Sequence, residues 1–258
     1  MRAQNLPAVA GWHWLQQGFA IYRRNPLLFA MQVMSYWFII VFINLLPVLG
    51  ALVAALINPA LLVGLMLSAR HLEHNRPISL ATLFDAWRGN YKPLLWLGGL
   101  YLLASLAALA LSALADGGDF LRFLLAGDKV ERAALEDGDF GLPVLFALLG
   151  LVPVFMAWWF APVLVAWHQQ GVGKALFFSF MACVINWRPF LVYGLGLCLV
   201  GGVLPGMALG VLGMILPSGL APLLGALAMF ALVGVLAPTI FASFYVAYRD
   251  IFGISEIV

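Results

Sequence analysis

The sequence predicts an all-α fold: a polytopic membrane bundle of six transmembrane helices. It is built as three repeats of an interfacial amphipathic helix plus a transmembrane hairpin, with both termini in the cytoplasm. Three observations carry this reading. Hydrophobic residues make up 64% of the chain and charged residues only 9%, against about 25% charged in an average soluble domain. A chain so poor in charge cannot cover itself with a polar surface, so its solvent must largely be lipid. The charges are also segregated: no Asp, Glu, Lys or Arg occurs from Asn25 to Ala69, from Pro93 to Ala115, from Phe140 to Gly173, or from Pro189 to Tyr248. Finally, one phrase, Leu-x3-Phe-x5-Asn running into a proline and then an apolar stretch, occurs three times, and an internal repeat organises everything around it.

A spanning helix needs about 20 mostly apolar residues. The first and last uncharged runs hold two spans each, because each contains a turn near its middle, Leu46-Pro47-Val48-Leu49-Gly50 and Leu216-Pro217-Ser218-Gly219. The two middle runs hold one span each. The six spans are placed at 27–47, 51–69, 93–114, 143–167, 189–214 and 221–247. They form a single integral membrane domain over 1–258, with repeat units at roughly 12–70, 78–168 and 173–249.

The copies of the phrase are Leu15, Phe19 and Asn25 before Pro26; Leu80, Phe84 and Asn90 before Pro93; and Leu176, Phe180 and Asn186 before Pro189. With Tyr22, Trp87 and Cys183 three residues after each Phe, the pattern i, i+4, i+7 puts three apolar residues on one helix face. In the first two copies the other face is polar (Gln16, Gln17, Arg23; Thr82, Asp85, Arg88), which predicts helices lying in the interface. The third copy is apolar nearly all round and is expected against the bundle or deeper in lipid. Ser79 is the expected N-cap of the second helix.

Each Asn marks a break, since proline disfavours helical geometry in the residue before it and suits the first turn of a new helix. Arg24, Lys92 and Arg188 stand at these elbows, where long cationic side chains reach head groups. The elbows therefore read as structural turns or, alternatively, as contacts for anionic lipid head groups. A second phrase places Pro59, Pro162 and Pro238 inside the even-numbered spans, where each removes a helix hydrogen bond and kinks the helix. Gly202, Gly206 and Gly210, with Gly213 beyond, form a small-xxx-small series suited to close helix packing, within the chain or across a dimer seam.

Orientation follows from loop charge. One side carries Arg2, Arg23, Arg24, Arg70, Arg76, Arg88, Lys92, Lys174, Arg188 and Arg249 with four acidic residues; the other carries the loop 116–139, with three basic and seven acidic residues. The basic side is expected to be cytoplasmic, with an attraction to anionic lipids of about 1 kcal/mol per cation. The loop's carboxylates lack the spacing of a calcium loop and read as a solvated turn. The first 24 residues lack a continuous apolar core, so the first span is expected to serve as an uncleaved signal. The expected location is a membrane, crossed several times with both termini in the cytoplasm.

Chemistry is sparse. Ion-driven transport usually needs ionisable groups within the membrane, and the spans hold none apart from His168 at the end of the fourth. Asn44, Asn58, Ser35, Ser105 and Thr239 are the main polar groups inside, where helix–helix bonding is their default role. His71 and His74 flank Glu73 with no further His or Cys near in sequence, and Met31 and Met34 read as packing, so no metal is expected. Cys183 and Cys198 read as ordinary packing residues. There is no phosphate loop, nucleophile elbow or H-E-x-x-H motif. No cofactor, no enzymatic activity and no nucleic-acid partner are expected.

From Gly11-Trp12-His13-Trp14 through Gly18-Phe19 and Tyr22-Arg23-Arg24-Asn25-Pro26-Leu27, the sequence resembles a family of proteobacterial inner-membrane proteins with no assigned activity. The resemblance extends through Leu45-Leu46-Pro47, the stretch from Ala69 to Arg76, and Ala113-Leu114-Ala115-Asp116-Gly117-Gly118. More distantly, a surface helix, an Asn-Pro elbow and a hairpin look like the membrane domain attached to some glycerophosphodiester phosphodiesterases. No catalytic domain accompanies it here, so that activity does not carry over. The leading expectation is a non-enzymatic accessory, assembly or membrane-organising protein, with membrane lipids and a membrane-protein partner or further copies of itself as its contacts. The alternative is a transporter or lipid-handling protein with a cavity open to the bilayer.

Overall fold

The structure, a computed structural model, describes residues 3–47, 49–89, 91–120, 122, 141–215 and 220–253. Among these, every regular element is helical: α1 (Ala10–Tyr22), α2 (Pro26–Asn44), α3 (Leu49–Glu73), a 3-10 helix (Leu80–Arg88), α4 (Lys92–Ala110) and α5 (Ala113–Asp116). There follow α6 (Gly141–Trp158), α7 (Ala161–His168), α8 (Val172–Ile185), α9 (Trp187–Cys198), a π-helical turn (Leu199–Val203), α10 (Leu204–Ile215) and α11 (Ala221–Phe252). Six stretches are long and apolar enough to cross a membrane: Pro26–Asn44, Leu49–Glu73, Lys92–Asp116, Gly141–His168, Trp187–Ile215 and Leu223–Phe252. They fall where the uncharged runs place them. The acidic half of the predicted loop lies outside the described residues.

The core lies along α3, α7 and the second half of α11. Ala60, Leu65, Val163, Leu164, Val246 and Ile251 are all buried there. α2 and α4 pack on α3, α6 packs on α4, and α8 packs on α6 and α7. α10 carries no buried side chain among its described residues. Large apolar side chains such as Phe38, Trp96, Met214 and Phe230 face outward, as expected where lipid replaces water around the bundle.

α1 is held by backbone contact. A Cβ on Gly11 would run into the Pro189 carbonyl, and one on Gly18 would lie 2.7 Å from the Thr239 carbonyl oxygen. That approach seats the fully buried Trp14 edge-on against Phe190 and Tyr193. The buried stripe of α1 thus centres on Trp14, Gly18 and Ile21, and Phe19 stays 41% exposed. Of the expected Leu15–Phe19–Tyr22 face, Leu15 and Tyr22 are buried and Phe19 is not, because two glycines, having no side chains, set the closest approach.

The second surface element is a 3-10 helix, so the four-residue spacing does not put Leu80 and Phe84 on a buried face: both are exposed, and Thr82 and Leu83 are buried instead. Ser79 does stand at its N-cap, its N–H donating to Thr82 Oγ1 at 3.2 Å. Pro59 and Pro238 sit inside unbroken helices. Pro162 does not: the helix ends at Trp158 and restarts at Ala161, leaving Pro162 in the first turn of α7. Ser179 of α8 satisfies the break, accepting from Phe160 N and donating to the Met156 carbonyl, both at 2.9 Å.

Candidate functional site

The three predicted elbows do different work. At the first, Asn25 caps α2, its Oδ1 accepting from Leu28 N at 3.4 Å, with Pro26 as the first helical residue. Arg24 reaches back to the end of α3, where its Nη1 donates to the Leu72 carbonyl (2.9 Å), the Glu73 carbonyl (2.5 Å) and Asn75 Oδ1 (3.1 Å). Those carbonyls are the ones a helix end leaves without partners, and a cation also suits the negative end of the helix dipole. Asn75 then turns the chain at φ 55°, a left-handed conformation that Asn tolerates.

At the second elbow Asn90 lies outside the described residues. Lys92 begins α4 and is exposed, with Pro93 next to it in the first turn. At the third, Asn186 is fully buried and binds the N-terminal segment: Oδ1 accepts from Leu6 N (3.0 Å), and Nδ2 donates to the Gln4 carbonyl (2.9 Å) and the Ala182 carbonyl (3.0 Å). Pro189 is buried in the first turn of α9, and Arg188 is exposed with its guanidinium 5.4 Å from the Trp187 ring centroid. Arg24 and Arg188 therefore act on different partners, and the structure does not gather the elbow cations into one site.

A polar cluster that the sequence reading did not assemble lies at the C-terminal ends of α3, α7 and α11. Arg249 is ion-paired with Glu73 and also binds Asp250 Oδ1 (Nε 2.9 Å, Nη2 2.7 Å) and Gln17 Oε1 of α1 (2.6 Å). Tyr245 donates to the other Glu73 oxygen at 2.6 Å. His168 Nε2 lies 2.5 Å from Tyr248 Oη, and the Arg70 guanidinium sits 5.4 Å from the Trp167 ring centroid. Glu73 thus faces Arg249 and Tyr245, while His74 Nδ1 lies 2.9 Å from the Arg70 carbonyl. The signal for this cluster was the polar residue ending each even-numbered span, Arg70, His168 and Arg249. What those residues would meet was invisible, because every partner but Asp250 is distant in sequence.

Deeper along the same helices, Pro59 and Pro162 border a cavity of about 200 Å³. Asn58 lines it and accepts at Oδ1 from Tyr36 Oη at 2.7 Å. A second hollow, about 320 Å³ and wholly apolar, lies between α1, α9 and α11, lined by Trp12, Leu15, Phe19, Leu236 and Ile240 among others. Thr239 at its edge turns its hydroxyl back to the Val235 carbonyl at 2.7 Å.

A probable inner membrane protein of Burkholderia thailandensis is 36% identical over 271 aligned residues, covering 99% of this chain and 96% of that protein. This chain belongs to that inner-membrane protein family. No protein-family model and no solved structure matches it.

In this inner-membrane protein the glycines divide sharply. Gly11, Gly18, Gly64 and Gly98 each lie against the backbone of a neighbouring helix. Around Gly202, Gly206, Gly210 and Gly213, no described residue comes within 4 Å of where a Cβ would stand. Among the described residues the series forms no packing seam.

Proposed function

We propose that this inner-membrane protein is a non-enzymatic accessory or assembly protein that receives a transmembrane helix of a membrane-protein partner on the glycine face of α10. The open series from Gly202 to Gly213 carries the reading. Glycine in a helix costs about 1 kcal/mol relative to alanine. Lipid offers nothing in return for a flat face, whereas a second helix does by close packing. Gly194 and Gly234 stand open singly, whereas the run from Gly202 to Gly213 repeats along one stretch, and it is the repetition that points to a partner helix. A Gly206→Leu variant should fold normally and lose a partner that co-purifies with the natural chain. A protein that leaves native membranes as a bare monomer would overturn the reading.

The internal symmetry supports the same picture. The prolines at the three elbows, together with the burial of Pro59, Pro162 and Pro238, fit three copies of one unit around a shared centre. The charge asymmetry favours the polar cluster and both termini facing the cytoplasm.

A second reading, lipid handling, is favoured by the apolar hollow under α1, which suits an acyl tail. Lys92 and Arg188, which unlike Arg24 are not bound to the end of α3, would hold an anionic head group. Replacing both with alanine while filling the hollow with Leu236→Trp should then strip a tightly held lipid in native mass spectrometry; unchanged lipid retention would sink this reading.

A further inference from the structure

The cavity beside Pro59 and Pro162 differs in kind from the apolar hollow under α1. Its wall holds five aromatic side chains, Tyr101, Phe155, Trp158, Trp159 and Phe244, and one amide, Asn58. The lining contains no Asp, Glu, Lys, Arg or His. Polar atoms in the wall are donors first. Asn58 Oδ1 is taken by the Tyr36 hydroxyl, which leaves the Nδ2 amide as the group offered to the cavity. Trp159 Nε1 has no hydrogen-bond partner among the described residues, but it is buried within the packed wall and not offered to the cavity, so the Asn58 amide is the donor an occupant would meet. Trp158 Nε1 is already spent on the Leu97 carbonyl at 2.9 Å.

An unpaired buried donor is costly and calls for an occupant that accepts. We infer that this cavity is a binding site for a neutral, planar ring bearing acceptor oxygens, of the quinone class, dissolved in the bilayer. Size agrees: a dry cavity of about 150 Å³ holds a benzene ring, and this one is about 200 Å³. Edge-on rings, such as Tyr101 against Trp158 at 5.8 Å and Trp159 against Phe244 at 4.8 Å, make walls suited to a flat guest. One wall residue, Phe155, is 45% exposed, so the cavity reaches the outer surface of the bundle, where a membrane-dissolved molecule arrives sideways.

Other occupants fit less well. An organic cation would find aromatic faces but no countercharge. The nearest carboxylate along α3, that of Glu73, lies eleven residues past Leu62, about 16 Å at 1.5 Å per residue, and is held by Arg249 and Tyr245. A plain acyl tail would leave the Asn58 donor unpaired and has the apolar hollow open to it. The inference does not depend on the glycine face of α10, since none of that helix lines the cavity.

The test uses the full chain in lipid nanodiscs, titrated with a short-chain ubiquinone analogue and followed by tryptophan fluorescence quenching. Saturable binding is expected, weakened about tenfold by Asn58→Leu, the loss expected for one hydrogen bond in a dry site. Ala55→Phe, which fills the cavity, should abolish it. An alkylbenzene with the same tail, and phenyltrimethylammonium, should each bind at least tenfold more weakly than the quinone. Equal binding by the alkylbenzene would reduce the site to a greasy slot and overturn the proposal, as would preference for the cation. Quinone quenching unchanged in Ala55→Phe would also overturn it, and thermal unfolding of each variant separates lost binding from lost fold.

Discussion

Arg249 connects three elements through one guanidinium: Glu73 of α3, Gln17 of α1 and its own neighbour Asp250. The Glu73 and Arg249 side chains are only 19% and 23% exposed, so losing one partner strands the other in a poorly hydrated place. Breaking fully buried pairs costs about 3–5 kcal/mol, and residual solvent lowers that here to roughly 1–3 kcal/mol. Glu73→Ala should therefore lower the thermal unfolding midpoint in detergent, and Glu73→Ala combined with Arg249→Met should recover part of the loss. Asn186 acts comparably at the N-terminal segment. Asn186→Ala removes three hydrogen bonds and should expose the amide of Leu6 to rapid hydrogen exchange while leaving α3 protected. Asparagine before proline was read from sequence as a turn residue. The sequence offered no sign that its amide would hold a segment 180 residues away, because that contact depends on packing.

At the scale of elements, what was legible depended on how local the cause is. Span positions came through because hydropathy and charge act residue by residue along the chain. Elbow prolines came through because proline fixes its own backbone. The face of α1 came through at Leu15 and Tyr22 but not at Phe19, since Gly11 and Gly18 set the closest approach by what they allow the neighbours to do. Nor did the 3-10 geometry of Leu80–Arg88, whose three-residue turn defeats a four-residue pattern. The break at Trp158–Ala161 was anticipated as a kink, but its stitching through Ser179 needs a helix that follows it in sequence. Ser179→Ala leaves both Phe160 N and the Met156 carbonyl without that hydroxyl, a loss of about 1–3 kcal/mol. Ser105→Ala, at a hydroxyl with no partner, should be neutral or slightly stabilising. Comparing the two unfolding midpoints checks that the hydroxyl matters for its bonds and not its volume.

For the whole molecule, the core gathers where α3, α7 and α11 meet, and burial thins toward α10 and the first half of α11. A bundle packed at one end and open at the other has two unequal halves: one self-sufficient, one suited to contacts. On the proposed orientation the packed end faces the cytoplasm. Reporter fusions at residue 1 and residue 258 should both read as cytoplasmic, while a cysteine placed within 116–139 should be labelled by an impermeant reagent from outside. The candidate contact face was visible in the sequence as a glycine series, but not its vacancy, because spacing alone does not say whether the matching helix lies in the same chain.

Native mass spectrometry of the protein drawn from its own membranes in a lipid-preserving polymer, natural chain beside Gly206→Leu, tests the contact-based account most directly. The account predicts a stoichiometric protein partner on the natural chain that is missing from the variant. A monomer carrying only lipid in both samples would contradict it.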